Sequence, residues 1–142
     1  MKLVQHLLDR KGTEVISIER AASVFDAIKL MADRGVGALL VMEDGRITGI
    51  VTERDYARKV ILKGRSSETT RVEEIMTAEV ITASTKQTVA ECMTLMTEKR
   101  IRHLPVVDDD GLVGLISIGD LVQAIISDQQ TAIEQLESYI SG

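Results

Sequence analysis

Aromatic residues are scarce in this sequence of 142 residues, which contains one Phe, two Tyr and no Trp. Proteins that bind single-stranded nucleic acid usually stack the bases on aromatic side chains, so that mode of binding is not expected. The 17 Lys and Arg residues are scattered among 22 acidic residues, and the net charge is −5. Because nucleic-acid binders usually carry a basic patch, no nucleic-acid polymer is expected as a partner, although a small anion could be bound locally.

Cysteine and long apolar runs are scarce as well. Cys92 is the only cysteine, so no intramolecular disulfide can form, which suits a reducing compartment. The N-terminus lacks a secretory signal pattern, and no apolar run approaches the roughly 18 residues of a membrane-spanning helix. We therefore expect a soluble, cytoplasmic protein that does not contact a membrane.

Residue patterns typical of catalysis are missing. The two histidines and one cysteine are too widely spaced to form a metal-ligand cluster, so no metal is expected. Neither a Gly-x-Ser-x-Gly nucleophile motif nor a Gly-rich phosphate loop occurs. We therefore do not expect an enzyme.

An internal repeat is the main feature that is present. The heptapeptide Gly49–Asp55 (GIVTERD) recurs 65 residues later as Gly114–Asp120 (GLISIGD). The same shift aligns residues 15–61 with 80–126 without a gap, and eleven of the 47 aligned pairs are identical. Because one copy is too short to bury much surface alone, the two copies are expected to pack together.

Each copy is predicted to run strand, helix, strand, strand, helix. Apolar residues at i, i+3, i+4 and i+7 predict helices over 23–34 and 88–100, and Cys92 on the second stripe is expected to be a core residue. Pro105 falls inside a predicted strand, where its missing N–H must face an unpaired side. The remaining predicted elements are strands at 15–18, 38–42, 47–52, 80–83, 103–107 and 112–117 and helices at 1–8, 53–63, 72–76, 118–127 and 129–140.

The repeat and a polar linker predict the domain organisation. Residues 1–64 are expected to form the first repeat with its leading helix, and residues 65–71 a linker. Residues 72–127 are expected to form the second repeat, and residues 128–142 a C-terminal helix.

The repeated heptapeptide is predicted to end a buried strand and to begin a helix. Thr52 and Ser117 stand where an N-cap residue belongs, and Asp55 and Asp120 fall in the first helical turn. A helix N-terminus attracts phosphate, a hydroxyl can donate to a phosphate oxygen, and a carboxylate can accept from the vicinal hydroxyls of a ribose. The pattern therefore indicates a ribose-phosphate site in each copy.

Two observations leave alternatives open at these junctions. Arg54 could clamp a phosphate in a forked geometry, whereas the second copy has Gly119 at that position, so the two sites are expected to differ. Thr-x-x-Asp and Ser-x-x-Asp are also capping patterns, and helix capping alone would explain these residues equally well.

Taken in order, the motifs resemble those of tandem CBS-domain proteins (Bateman modules) of the stand-alone type. The resemblance covers roughly residues 4–127 and rests on the two heptapeptides, on Arg102–Asp108 (RHLPVVD) and on Val72–Met76 (VEEIM). It implies an α+β fold of two pseudo-symmetric βαββα repeats packed sheet to sheet, with short N-terminal and C-terminal helices. It also implies an adenosyl ligand (AMP, ADP, ATP, NAD(H) or S-adenosylmethionine) in two clefts between the repeats, no required metal, and a homodimer.

The resemblance also assigns roles to individual residues. It gives ribose and phosphate contacts to Thr52, Arg54, Asp55, Ser117 and Asp120, and it takes the adenine pocket from the opposite repeat. That pocket would comprise Ile81, Ile101, Arg102 and His103 for the site of Asp55, and Ile16, Val36, Gly37 and Ala38 for the site of Asp120. Lys11 and Thr13 are expected as additional contacts of the second site, and a structural role for His103 stays open.

The leading interpretation is a regulatory sensor of adenine nucleotides or redox state. It would act on an unidentified protein through dimer geometry or partner binding. The alternative is a structural protein-interaction module whose clefts hold no ligand, and ligand binding itself separates the two.

Overall fold

The computed structural model describes residues 2–141, and its packing divides the chain into two compact units. The internal unit comprises residues 15–81, and the terminal unit comprises residues 1–14 together with 82–142. The described residues form five α-helices and two three-stranded sheets. Strand, helix, strand, strand and helix follow one another in each unit, so the expected α+β fold of two βαββα repeats is confirmed.

The elements follow the two repeats in chain order. The first sheet has the order β1-β2-β3 and the second β4-β5-β6; in each, the first pair is parallel and the second antiparallel. The elements are α1 (Val4–Lys11), β1 (Ser17–Ile18), α2 (Val24–Arg34), β2 (Ala38–Glu43), β3 (Arg46–Thr52), α3 (Glu53–Tyr56), β4 (Ala83–Ser84), α4 (Val89–Lys99), β5 (His103–Asp108), β6 (Gly111–Ser117) and α5 (Ile118–Ser141).

Helices α2 and α4 begin and pack as the sequence predicts. The Ser23 hydroxyl accepts from the Asp26 N–H at 3.0 Å, and the Thr88 hydroxyl accepts from the Glu91 N–H at 3.0 Å. Each helix buries the predicted apolar stripe. Cys92 lies on that stripe, fully buried, and burial raises the pKa of its thiol, with a smaller contribution from Glu91.

Pro105 fits into the central strand β5 because the pairing of β4 with β5 begins one residue later than the equivalent pairing of β1 with β2. In the internal unit Ser17 pairs with Leu40, whose N–H donates to the Ile16 carbonyl at 3.2 Å. Pro105 is the counterpart of Leu40, and β4 begins one step later, with Ala83 opposite Val106. The missing N–H therefore faces a part of the edge where no strand pairing is needed.

The segments that lead into the repeats pack on the opposite repeat. In the terminal unit, the N–H of Val4 donates to the Gln87 carbonyl at 2.9 Å. In the internal unit, Ile50 and Thr77 exchange two backbone hydrogen bonds of 3.0 and 2.9 Å. The packing units thus differ from the division into 1–64 and 72–127, because α1 belongs with the second repeat and the 72–77 segment with the first.

This packing explains the glycine of each heptapeptide. A Cβ at Gly49 would lie 2.6 Å from the Met76 sulfur, and a Cβ at Gly114 would lie 2.8 Å from a Leu8 methyl carbon. Each leading segment therefore approaches its strand closely at a position where only glycine leaves room.

Several predicted helices are wrong in their boundaries. In place of one helix over 53–63, α3 ends at Tyr56 and continues as a π-helical segment, Ala57–Ile61. Such wide turns are rare and often lie at functional sites. The helices predicted at 118–127 and 129–140 are one helix of 24 residues, because residues 127–129 contain no glycine or proline to end it.

Candidate functional site

Both heptapeptide junctions form reciprocal capping boxes. At the first, the Thr52 N–H donates to the Asp55 carboxylate at 3.0 Å and the Asp55 N–H donates to the Thr52 hydroxyl at 3.1 Å. At the second, the Ser117 N–H donates to Asp120 at 2.8 Å and the Asp120 N–H donates to the Ser117 hydroxyl at 3.1 Å. The two copies therefore hold hydroxyl and carboxylate in the same local geometry, and the capping role is real in both.

The carbonyl of the residue that precedes β2 or β5 satisfies the first N–H of each helix. The Glu53 N–H donates to the Gly37 carbonyl at 3.1 Å, and the Ile118 N–H donates to the Arg102 carbonyl at 2.8 Å. Within residues 2–141, this leaves the backbone N–H groups of Arg54 and Gly119 as the first-turn donors without a recorded acceptor. One donor thus remains at each helix N-terminus, where the helix dipole favours an anion.

A lysine neutralises each aspartate, but from a different place in the chain. Lys59, four residues after Asp55, lies 3.1 Å from its Oδ1 and also donates to the Ile75 carbonyl at 2.8 Å. Lys11, from α1, lies 2.6 Å from the Asp120 Oδ2 and donates to the Leu115 carbonyl. The sequence predicted Lys11 near the second site and missed Lys59, although an Asp–Lys pair at i,i+4 on a helix is a readable signal.

The second junction has a distinct electrostatic environment. Burial raises the pKa of the Asp120 carboxyl, but Lys11 and the Ser117 N–H and hydroxyl outweigh burial, and the net pKa lies below its usual value. Burial, together with Lys11 and Arg102, lowers the pKa of His103 against the opposing effect of Asp120. The Asp120 carboxylate is thus charged and the His103 ring neutral at pH 7.

Several predicted pocket residues lie beside the junction of their own unit. Ala38 pairs with Thr52 across the internal sheet, and a Cβ on Gly37 would lie 2.9 Å from the Glu53 carboxylate. His103 pairs with Ser117 across the terminal sheet. The structure therefore brings these strand residues to the helix N-termini, and the assignment of each to the opposite repeat stays a prediction.

The other predicted site residues make no described contact with the two carboxylates. Ile16 and Val36 are half-buried against the core of the internal unit, and Ile81 and Ile101 are also half-buried. The side chain of Arg54 is exposed at the first helix turn, as is Thr13 in the segment after α1. None of the described contacts joins these residues to Asp55 or Asp120, so their roles stay predictions.

Comparison with known proteins identifies the family. Residues 10–62 and 72–127 each match the family model for the CBS domain. The chain belongs to the CBS domain family. This CBS pair is 46% identical over 125 residues to the CBS domain-containing protein CBSX3, mitochondrial, of Arabidopsis thaliana, a match that covers 84% of this chain and 61% of the relative. The chain therefore spans about three fifths of that relative's length.

Solved structures of CBS pairs have the same fold. A protein with CBS domains from Burkholderia ambifaria MC40-6 is 55% identical, with a TM-score of 0.87, and the match covers 90% of this chain and 96% of that one. The CBS domain pair of protein MJ0100 is 27% identical, with a TM-score of 0.79 and coverage of 90% and 98%. That pair was solved in complex with 5′-methylthioadenosine and S-adenosyl-L-methionine.

Two other kinds of feature are absent from residues 2–141. The described helices include none with the length and apolar character needed to cross a membrane. The same residues contain no group of three or more His, Cys, Asp and Glu side chains placed to hold a metal ion.

Proposed function

We propose that this CBS pair is a regulatory module that binds an adenosyl ligand through the hydroxyl–aspartate pairs Thr52/Asp55 and Ser117/Asp120. The observation that carries the proposal is the MJ0100 CBS pair, which has the same fold and binds two adenosyl compounds. The matching capping geometry at both junctions supports it, because two copies of one arrangement suit two related ligand sites.

The junction residues would each have a defined part in binding. Asp120 uses its Oδ2 for both Ser117 and Lys11, and within residues 2–141 its Oδ1 has no recorded partner. That oxygen would accept from a ribose hydroxyl. The Ser117 hydroxyl accepts the cap bond and shares its own proton with the Asp120 carboxylate, so a phosphate would compete with that carboxylate for the proton.

The two sites should prefer different ligands. Lys11 and Arg102 lie in the terminal unit close to the second junction, whereas the first junction has Lys59 beside Asp55 and the exposed Arg54. AMP, ADP, ATP, NAD(H) and S-adenosylmethionine all contain the adenosine that the proposal requires and differ in charge. Because the cations come from different elements at the two junctions, we expect the two sites to differ in their preference among these ligands.

The proposal for regulation names no specific partner. CBS domains are generally regulatory and not catalytic, and we propose that this one signals as a homodimer to a protein partner in the cytoplasm. The Arabidopsis relative is mitochondrial. Localisation of this protein in cells is therefore the first test of the proposed compartment. Ligand binding would bias the dimer only by its difference in affinity for two conformations.

Thermal unfolding with each adenosyl compound tests the proposal. A ligand present at 100 times its dissociation constant stabilises the folded state by about 2.7 kcal/mol. The variants Asp55→Asn and Asp120→Asn keep an oxygen for the cap hydrogen bond and lose the charge. Asp33→Asn on the exposed surface of α2 is the matched control.

The two roles of the aspartates give different results. Ligand binding predicts that at least one compound raises the midpoint and that one Asp→Asn change removes this rise, while Asp33→Asn keeps it. A purely capping role predicts that no adenosyl compound shifts the midpoint of the wild type or of any variant, since Asn keeps the cap hydrogen bond. If no adenosyl compound shifts the wild-type midpoint, the proposal is rejected and an interaction module without ligand is the remaining interpretation.

A further inference from the structure

Helix α5 presents an apolar row at heptad spacing. The row consists of Val122, Ile126, Ile133, Leu136 and Ile140, with Gln129 between the second and third members. In heptad notation the isoleucines occupy position a, and Val122, Gln129 and Leu136 occupy position d. We call these six residues the α5 seam.

The seam is exposed along its whole length. The exposed fraction is 43% at Val122, 59% at Ile126, 48% at Ile133, 62% at Leu136 and 83% at Ile140. All residues from 128 to 141 are exposed. Helices in proteins gain most of their stability by packing an apolar face, so this half of α5 needs a partner along the seam.

The first half of α5 is anchored on the folded unit. Leu121 is fully buried and Ala124 is 7% exposed, and Lys2 pairs with Asp128 at 3.0 Å. The costly first turns of the helix are therefore already formed. A seam of fewer than three heptads can thus associate, although an isolated peptide of this length would not.

We propose that the α5 seam packs against the α5 seam of a second copy as a parallel, in-register, two-stranded coiled coil. Ile at a with Leu at d favours two strands, and in the α5 seam Ile occupies all three a positions and Leu one of the three d positions. In register, Gln129 faces its own counterpart, and the two side-chain amides can hydrogen-bond to each other. An antiparallel pairing would place Gln129 against Ile133 and leave the amide without a partner, which is costly when buried.

The charges of α5 are compatible with pairing to a second copy. The acidic residues of this half of α5 are Asp128, Glu134 and Glu137, and α5 contains no Lys or Arg. Asp128 and Glu134 fall at positions c and b, away from the seam. Glu137 falls at e, where a parallel partner places Ala132, so no like charges meet across the interface.

Disulfide trapping in the full chain tests the arrangement. Gln129→Cys places a thiol at a d position, where two in-register helices bring the thiols together. Ser138→Cys places it at f, on the outside of the coil. The natural Cys92 is buried, so wild-type protein treated in the same way measures its contribution. Two further variants, Leu136→Glu and Gln135→Glu, are each made in the Gln129→Cys background. They add the same charge on the seam and beside it.

The proposal predicts a cross-linked dimer with Gln129→Cys and none with Ser138→Cys or wild type. Adding Leu136→Glu should weaken association at least about tenfold, which corresponds to about 1.4 kcal/mol, whereas Gln135→Glu should leave it unchanged. Absence of a cross-linked dimer in the purified Gln129→Cys protein would overturn the proposal. A seam that is covered by another protein would give this same result. Equal cross-linking in both charge variants would also overturn it. The inference rests on the homodimer of the proposed function, but neither readout involves an adenosyl ligand, so failure of the coiled coil would leave the proposed ligand binding untouched.

Discussion

Lys11 and Asp120 form a 2.6 Å ion pair although 109 residues separate them in the sequence. The pair joins the end of α1 to the first turn of α5. It is also the main favourable interaction that keeps the Asp120 pKa below its usual value against the effect of burial. A residue from the N-terminal segment therefore sets the charge at the junction of the second repeat.

Replacing Lys11 by Met should lower stability at neutral pH more than in acid. A depressed carboxyl pKa stabilises the fold above the ordinary pKa, and this contribution is lost as pH falls through the folded-state value. We expect a loss below about 1 kcal/mol at pH 7, because the pair is partly exposed. The loss should shrink near pH 3, about one unit below the ordinary carboxyl pKa. Urea unfolding at the two pH values measures both differences.

Lys2→Met is the matched control for this prediction. Lys2 belongs to the same N-terminal segment, and its partner Asp128 is 51% exposed. Its removal should change stability little at either pH. An equal loss at both pH values in Lys11→Met would show that the lysine acts by packing and not by charge.

His103 should make stability depend on pH in a higher range. Burial lowers its pKa, with Lys11 and Arg102 acting in the same direction and Asp120 opposing them. The unfolded chain therefore binds a proton before the folded one does. The stabilisation is present above the ordinary value of about 6.5 and is lost as pH falls through the folded-state pKa. His103→Gln should flatten the stability profile between about pH 7.5 and 5.5.

Lys11→Met provides a second measurement of the His103 effect. Removing that cation should bring the His103 pKa closer to its ordinary value and reduce the slope without abolishing it, since burial remains. Chemical unfolding across this range tests the order of the three slopes. A His103→Gln profile as steep as wild type would assign the pH dependence to other groups.

The sequence predicts most of the fold because the same caps and apolar stripes occur in both copies of the repeat. The caps at Ser23 and Thr88 and the buried stripe that includes Cys92 are local patterns, and both appear where predicted. The ends of helices were harder to predict. Residues 127–129 contain no glycine or proline to end α5, and the Ser127 hydroxyl also accepts from Arg10 at 3.0 Å, a contact that spacing alone does not reveal.

The candidate site shows the same limit. Thr52 and Asp55 were found from their own repeat, and so was their capping alternative. The residues that pack against the heptapeptide glycines needed long-range information: Leu8 comes from the other end of the chain, and Met76 from the segment after the linker. Local pattern thus predicts the junction, but the residues that surround it depend on how the leading segments pack.

Arg100 should be replaceable by glycine with a gain in stability. It ends α4 in the left-handed region at φ 55°, where the equivalent residue of the first repeat is Gly35 at φ 65°. The left-handed conformation costs an L-residue about 1–2 kcal/mol, and the extra freedom of glycine in the unfolded chain costs about 0.4–1 kcal/mol. Arg100→Gly should therefore stabilise the protein by about 0.5–1 kcal/mol in urea unfolding.

Arg100→Ala separates backbone strain from loss of the side chain. Alanine keeps the unfavourable φ and removes the guanidinium, so it should not stabilise. The reverse change in the other repeat, Gly35→Ala, should destabilise. A gain with Arg100→Ala as large as with Arg100→Gly would locate the effect in the side chain.

The two heptapeptide glycines should differ in their tolerance of a methyl group. At Gly49 the added Cβ would meet the Met76 sulfur at 2.6 Å and also the Thr77 carbonyl oxygen at 3.0 Å, a backbone atom held by its two hydrogen bonds to Ile50. At Gly114 it would meet only the Leu8 side chain, whose nearest carbon is 2.8 Å away and can rotate.

Overpacking costs about 1–3 kcal/mol, and we expect Gly49→Ala in the upper half of that range and Gly114→Ala in the lower. Gly119→Ala, whose Cβ would have its nearest neighbour at 3.6 Å, is the control and should be almost neutral. Urea unfolding of the three variants gives the order, and a Gly114→Ala cost equal to that of Gly49→Ala would mean that Leu8 is held as rigidly as the Thr77 backbone.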